Sequence, residues 1–132
     1  MVWFDPIGVL VGPGQTVRWT NKDPGNSHTS TAYHPVNDGH KLPIPTEAQP
    51  WNSAYLLPDQ SFEAILNAPG VYDYFCIPHE HARMVGRLVV AEKGAAVPPP
   101  PIGSPIEGIE ADPLPSVEDI IRQGRVARPR AG

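Results

Sequence analysis

The sequence has a single cysteine, Cys76. That excludes a disulfide within one chain and leaves the redox compartment undetermined. Dense Lys/Arg clusters are also absent. Ten basic and fourteen acidic residues give a formal charge of −4, which argues against nucleic acid or an anionic membrane surface as a partner. The longest apolar stretches run for only a few residues, too short to span a bilayer. No charged, then apolar, then cleavable stretch opens the chain, so it reads as cytosolic or as a mature or trimmed chain. Amphipathic helical periodicity is missing from the first 92 residues, which argues against a helical bundle.

What the chain does have is turn chemistry. Eighteen prolines and twelve glycines in 132 residues favour short strands joined by tight turns. An apolar share of 40% is enough for one compact core with a tail. In "FDPIGVLVGPGQTVRWTNKD", Val9 and Val11 alternate with Leu10 and Gly12, and Val17 and Trp19 with Arg18 and Thr20. This predicts two strands joined at Pro13-Gly14. "QSFEAIL" puts Phe62, Ala64 and Leu66 on one face, and "VYDYFC" does the same for Tyr72, Tyr74 and Cys76. "GRLVVAE" supplies a last strand. Residues 34–54 carry four prolines and no sustained period, so a long loop is expected there. The pattern is all-β, with strands at regular intervals.

At about Lys93 the composition changes to "GAAVPPPPIGSP", which favours polyproline II and cannot enter a sheet. Residues 1–92 are therefore read as the domain and 93–132 as a Pro-rich tail. "PSVEDIIRQG" has Ser116 as N-cap, acids in the first turn, Arg122 in the last, and Gly124 as C-cap. These signals predict a helix over 117–123. So short a helix is unstable alone, so it is expected to pack on the domain. The basic end (Arg122, Arg125, Arg128, Arg130) reads equally well as a solvated tail. Phe75 points away from Cys76, on the opposite face of its strand. Ile102, Ile106, Ile109, Leu114, Ile120 and Ile121 of the tail are expected to cover part of that face.

"YFCIPHEHARM" brings Cys76, His79, His81 and Met84 onto one short loop. A lone cysteine is most often an inert, buried small side chain. Thiolate, imidazole and thioether together instead form a soft donor set that selects copper. A second imidazole is needed, and "DPGNSHTST" offers His28 near the end of the second strand. Strand ends distant in sequence meet at one pole of a sandwich, so His28 can converge on this loop.

"YFCIPHEHARMVGRLVV" resembles the copper loop of the plastocyanin/azurin cupredoxins, Cys-x2-His-x4-Met followed by glycine and the last strand. "FDPIGVLVGPGQTVRWTNKDPGNSH" and "SAYLLPDQSFEAILNAPGVYDYFC" resemble the earlier parts of the same family. The likeness covers about residues 4–91. It implies a two-sheet Greek-key β-sandwich with a long loop after the first histidine ligand. It also implies one type 1 copper per chain, held by His28, Cys76 and His79 with Met84 as a long axial ligand. Thr29 falls where a neighbouring residue ties the two ligand loops together near the sulfur. His79 is preferred to His81 because Pro78 stands immediately before it.

The function implied is one-electron transfer between Cu(I) and Cu(II) without substrate turnover, in a soluble monomer outside the cytoplasm, such as a periplasmic one. Redox proteins would dock transiently near His79 on a patch with Pro78, Met84, Pro24 and Pro35. Arg83, where relatives often have glycine, would add a cation there and favour a partner with acidic character. Of the family's usual strand before "FDP" only Met1–Trp3 stand here, so either the chain is trimmed or its first strand is short. His34, His40 and His81 are read as loop histidines in water rather than as a second metal site with Glu80 or Asp38. A copper delivery or storage protein is the alternative from another class. A thiol hydrolase is disfavoured because Cys76 ends a strand and no base-orienting Asn or Asp is apparent. Zinc is disfavoured by the methionine.

Overall fold

The computed structural model describes residues 3–33, 48–92 and 114–127, apart from the side chain of His81. Two sheets face each other. The larger has the order β3-β5-β6-β1-β7, built from β1 (Gly8–Val11), β3 (Thr31–Ala32), β5 (Gly70–Phe75), β6 (Val85–Val90) and β7 (Arg125–Val126). The smaller pairs β2 (Thr16–Thr20) with β4 (Ser61–Ile65). β1 runs parallel to β6, while β5 and β6 are antiparallel. This is the expected Greek-key β-sandwich.

Pro13-Gly14 does not close a hairpin. The turn carries the chain from one sheet to the other, with Gly14 at φ 85° and its N–H donating to the Leu66 carbonyl at 2.8 Å. Alternation then decides what faces inward. Tyr72, Tyr74, Leu88 and Val90 of the large sheet meet Trp51 and Leu66, with Val17, Trp19, Phe62 and Ala64 of the small sheet packed against them. Trp19 stacks on Trp51 and meets Tyr74 edge-on, at ring separations of 5.4 and 5.5 Å. Gly86 lies opposite Tyr74 in the ladder, where any Cβ would strike the tyrosine ring. Glycine is needed at that close approach.

The region read as a loop over 34–54 is not irregular at its far end. Residues 34–47 lie outside the described residues, but Trp51–Leu56 runs antiparallel along His28–Ala32, with bridges His28–Leu56 and Thr31–Asn52. Trp51 anchors it, donating from Nε1 to Ser30 Oγ at 2.9 Å. A buried indole and backbone bridges to a distant segment, not a strand-like period, hold this stretch.

β5 is buried on both faces. Phe75 is 1% exposed and stacks on Tyr33 at 4.5 Å, with Val85, Ile77 and Leu114 around them. Further along the outer face α1 (Val117–Gln123) packs, with its Ile120 against Val89, Ala91, Leu10, Val117 and Val126. The caps are those the sequence predicts: Asp119 N–H donates to Ser116 Oγ, and Gly124 adopts φ 79°. Gly8 makes room for this helix, because a Cβ there would sit 2.7–2.8 Å from Pro115 and Ile120.

Ile121 departs from expectation. It is 42% exposed and faces solvent, since a helix of two turns can turn only one stripe to the sheet. Ile102, Ile106 and Ile109 lie outside the described residues. Arg125 is not part of a wholly free end, because its backbone pairs with Val9 in the sheet, whereas Arg122 is exposed and bonded to Asp119. Arg128 and Arg130 are outside the described residues.

Candidate metal centre

Each donor is fixed by backbone first. Cys76 follows β5, and its N–H donates to the Met84 carbonyl at 3.0 Å, closing the loop at its neck. Within that neck runs a 3-10 turn (Ile77–Ala82) with Pro78 in its first positions, where a missing N–H costs nothing. The turn kinks at His79 (φ −123°, ψ 15°) and ends at Arg83 with φ 63°. Left-handed backbone favours glycine, so Arg83 sits there at some cost. His28 is fixed by its two-bond bridge to Leu56.

These constraints bring His28, Cys76 and His79 together, with one donor atom from each lying within 4.8 Å of the others. Cys76 Sγ is 3.7 Å from His28 Nδ1 and 3.4 Å from His79 Nδ1. Cys76 is fully buried, His28 is 7% exposed, and His79 is half-buried. Met84 is buried at 4% and lines the same cavity as His28 and Thr29.

Thr29 joins the two ligand segments. Its N–H donates to Cys76 Sγ at 3.4 Å, and its Oγ1 accepts from Ile77 N–H at 2.9 Å. The hydroxyl also lies 2.9 Å from Thr31 Oγ1, which donates to Asn52 Oδ1. One side chain thus ties the histidine segment to the cysteine loop.

Asp23 is a residue the sequence reading missed. Its Oδ2 lies 2.9 Å from His28 Nε2. Asn26 Nδ2, His28 and the Gly25 N–H together hold the Asp23 carboxyl well below the usual carboxylate range. An ionised carboxylate only accepts, so this partner assigns the proton to Nε2 and leaves Nδ1 free as a donor atom. The signal available in sequence was the Asx-rich turn "NKDPGN", whose side chains bond to their own backbone.

Burial pushes the Cys76 thiol up, against hydrogen bonds from Thr29 and His79 that favour thiolate. Burial, with the His28 ring close by, pushes His79 down. Both shifts describe a pocket that resists protons on imidazole and releases the thiol proton only to something that replaces it, as a metal ion does.

The other predicted residues divide. Pro78, Pro24 and Arg83 are exposed, whereas Met84 is buried and so cannot join a docking surface. Pro35, His34, His40 and Asp38 lie outside the described residues, as does the side chain of His81. Glu80 accepts from the Tyr33 hydroxyl at 2.7 Å. Sequence reasoning also missed the buried pair on the outer face, where Arg87 grips Asp73 through Nε and Nη2 at 2.8 and 3.0 Å. Each lies in a strand where a charge normally marks the solvent side.

A thiolate between two imidazoles, with a thioether nearby, is a donor set suited to copper. The description "Copper binding proteins, plastocyanin/azurin family" matches residues 1–91. A chloroplastic plastocyanin from Tetradesmus obliquus is 32% identical over 89 residues, covering 66% of this chain and 57% of that protein. A plastocyanin from Scenedesmus fuscus is 30% identical over 89 residues, covering 66% of this chain and 85% of that protein. Among solved structures, a pseudoazurin from Sinorhizobium meliltoi superposes with a TM-score of 0.53 at 28% identity, covering 72% of this chain and 71% of that one. A reduced amicyanin bearing one tryptophan-to-tyrosine substitution gives 0.52 at 23% identity over 67% of this chain and 72% of that one, a likeness of fold. Matched over most of its length, the chain belongs to the plastocyanin/azurin family of copper-binding proteins, with one copper as its cofactor.

Proposed function

We propose that this protein is a one-electron carrier whose copper would be held by His28, Cys76 and His79, with Met84 as a fourth, weaker ligand. The bound copper supplies a Cu(I)/Cu(II) couple. The protein's part is to keep the donors still. The observation that carries the reading is the double tie through Thr29, whose N–H reaches Cys76 Sγ while its hydroxyl takes the N–H of Ile77. A donor set locked this way has little freedom to rearrange when charge changes. The Thr29 N–H also withdraws electron density from sulfur, which favours the reduced state.

Two features support a carrier over a delivery or storage protein. His28, Cys76 and Met84 are buried, which slows ligand exchange. His79 is the half-buried donor, beside exposed Pro78, and offers a short route from the metal to a docked partner. Transient redox encounters use small surfaces. Here that surface would comprise Pro78, Pro24 and Arg83 around His79, engaged by a redox protein outside the cytoplasm, with the carrier acting as a monomer. No described helix is long and apolar enough to cross a membrane.

An absorption spectrum of the Cu(II) form tests the reading directly. An intense visible band from thiolate-to-copper charge transfer, with a reversible one-electron voltammetric wave, is expected. A colourless, readily chelated copper complex would instead identify a delivery or storage protein. Arg83→Glu should weaken electron transfer to an acidic partner and reverse its salt dependence. Unchanged rates at all salt concentrations would remove Arg83 from the docking surface.

A further inference from the structure

His79 occupies the kink of the 3-10 turn, between Ile77 and Glu80. Both of those flanking residues are gripped from the outer face of the large sheet. Ile77 packs into the cluster of Tyr33, Phe75, Val85 and Leu114. Glu80 Oε2 accepts the hydroxyl hydrogen of Tyr33 at 2.7 Å. Tyr33 is itself immobile, being fully buried, stacked on Phe75, and bonded from its N–H to the Asp73 carbonyl at 3.1 Å. Burial, with the bond to Glu80, raises the phenol's pKa and keeps its hydroxyl a donor. Leu114 of the C-terminal segment closes this pocket, and Arg87 Nη1 donates to the Pro115 carbonyl at 3.0 Å while its other nitrogens hold Asp73.

We propose that Tyr33 is a positioning residue for His79, acting through Glu80, and that the C-terminal segment at Leu114–Pro115 completes the pocket that aims it. This inference rests on His79 being a copper ligand. His28 is oriented directly, by the Asp23 carboxylate. His79 has no such carboxylate partner among the hydrogen bonds described, and its ring is aimed by the turn that bears it. The grip from Tyr33 and its neighbours holds that turn in addition to the bond from Ile77 N–H to Thr29 Oγ1. Tyr33 touches neither copper nor a donor atom, so its influence passes through the backbone of residues 79–80.

The test compares Tyr33→Phe, Glu80→Ala and Glu80→Gln, with and without copper. In metal-free protein, amide exchange at residues 77–82 should quicken in Tyr33→Phe and Glu80→Ala while β5 and β6 stay protected. In the Cu(I) form, chelator competition should show roughly three- to tenfold weaker binding for both, below the roughly 10–100-fold lost when a group bonded directly to a ligand is removed, because Tyr33 and Glu80 act through the backbone. Glu80→Gln keeps an acceptor oxygen and should bind as the parent does. The double variant should be no worse than either single one, because both remove the same bond.

Parental affinity and exchange in Glu80→Ala, or Glu80→Gln failing as Glu80→Ala does, would overturn the proposal. Glu80 is half-buried whereas Tyr33 is fully buried, so the Glu80 variants remain informative should Tyr33→Phe not fold. A parent protein lacking the charge-transfer band would defeat the copper reading itself. A parent with the band and unaffected variants would defeat only the role of Tyr33.

Discussion

Thr29→Val removes the hydroxyl that ties the two ligand segments while keeping the side chain's shape. Ile77 N–H, now bonded to Thr29 Oγ1 at 2.9 Å, would lose its acceptor inside a closed loop. Thr31 Oγ1 keeps its bond to Asn52 Oδ1, so only one donor is stranded. Stranding a buried donor costs about 1–3 kcal/mol, and the midpoint of about 2 kcal/mol applies here. Thr29→Ser is the control. It keeps the hydroxyl and loses one buried methyl, worth about 0.8 kcal/mol. For a chain of this length these figures correspond to melting-point drops of roughly 8 °C and 3 °C.

Urea unfolding of the metal-free variants, with the slope m checked for constancy, reads the difference without involving copper. Amide exchange at Ile77 should rise in the valine variant alone. Should serine prove as costly as valine, the methyl rather than the hydroxyl would be the important group, and the tie between the segments would not be a hydrogen bond.

Two further outcomes are expected. Ile120→Ala, at a fully buried site against Gly8, Val89 and Ala91, should cost about 2–4 kcal/mol. A loss under about 0.5 kcal/mol by urea titration, within the range of a surface change, would mean that α1 adds nothing to the sandwich. Copper uptake at pH 8 should release about one proton per ion. Cys76 is pushed above its ordinary thiol value and is still protonated at that pH, whereas His79 is pushed below its ordinary imidazole value and is already neutral. The affinity of metal-free protein should therefore rise with pH until the thiol titrates. Calorimetry in buffers of different ionisation enthalpy counts the protons, and a count of zero would mean that the thiolate forms unaided.

Much of the architecture was legible because it is written locally. Alternation in "VYDYFC" marks β5, and Ser116, the first-turn acids and Gly124 mark both ends of α1. The cluster of His28, Cys76 and His79 was legible in part because Cys76 and His79 share one loop. What escaped was pairing at a distance. Nothing in residues 70–75 announces that Asp73 finds Arg87 fourteen positions later, or that Tyr33 meets Glu80 across 47. The turn at Pro13-Gly14 reads the same whether it closes a hairpin or changes sheets, since local φ/ψ does not say which strand lies next door. The Trp51 segment escaped because its order comes from one indole in the core and from backbone pairing with residues 28–32, not from periodicity.

The short strand β7 has a consequence beyond packing. β1 reads Gly-Val-Leu-Val, an apolar run that would make an adhesive outer strand. With Ile7 and Leu10 N–H groups donating to the Val126 and Gly124 carbonyls at 2.9 Å each, that ladder is already taken. The outermost position passes to two residues, one of them the exposed Arg125. A brief, charged rim is a poor template for a neighbouring chain. Residues 124–126 thus occupy the ladder that β1 would otherwise present, and shortening the chain before them is expected to raise the share of oligomers seen by size-exclusion chromatography.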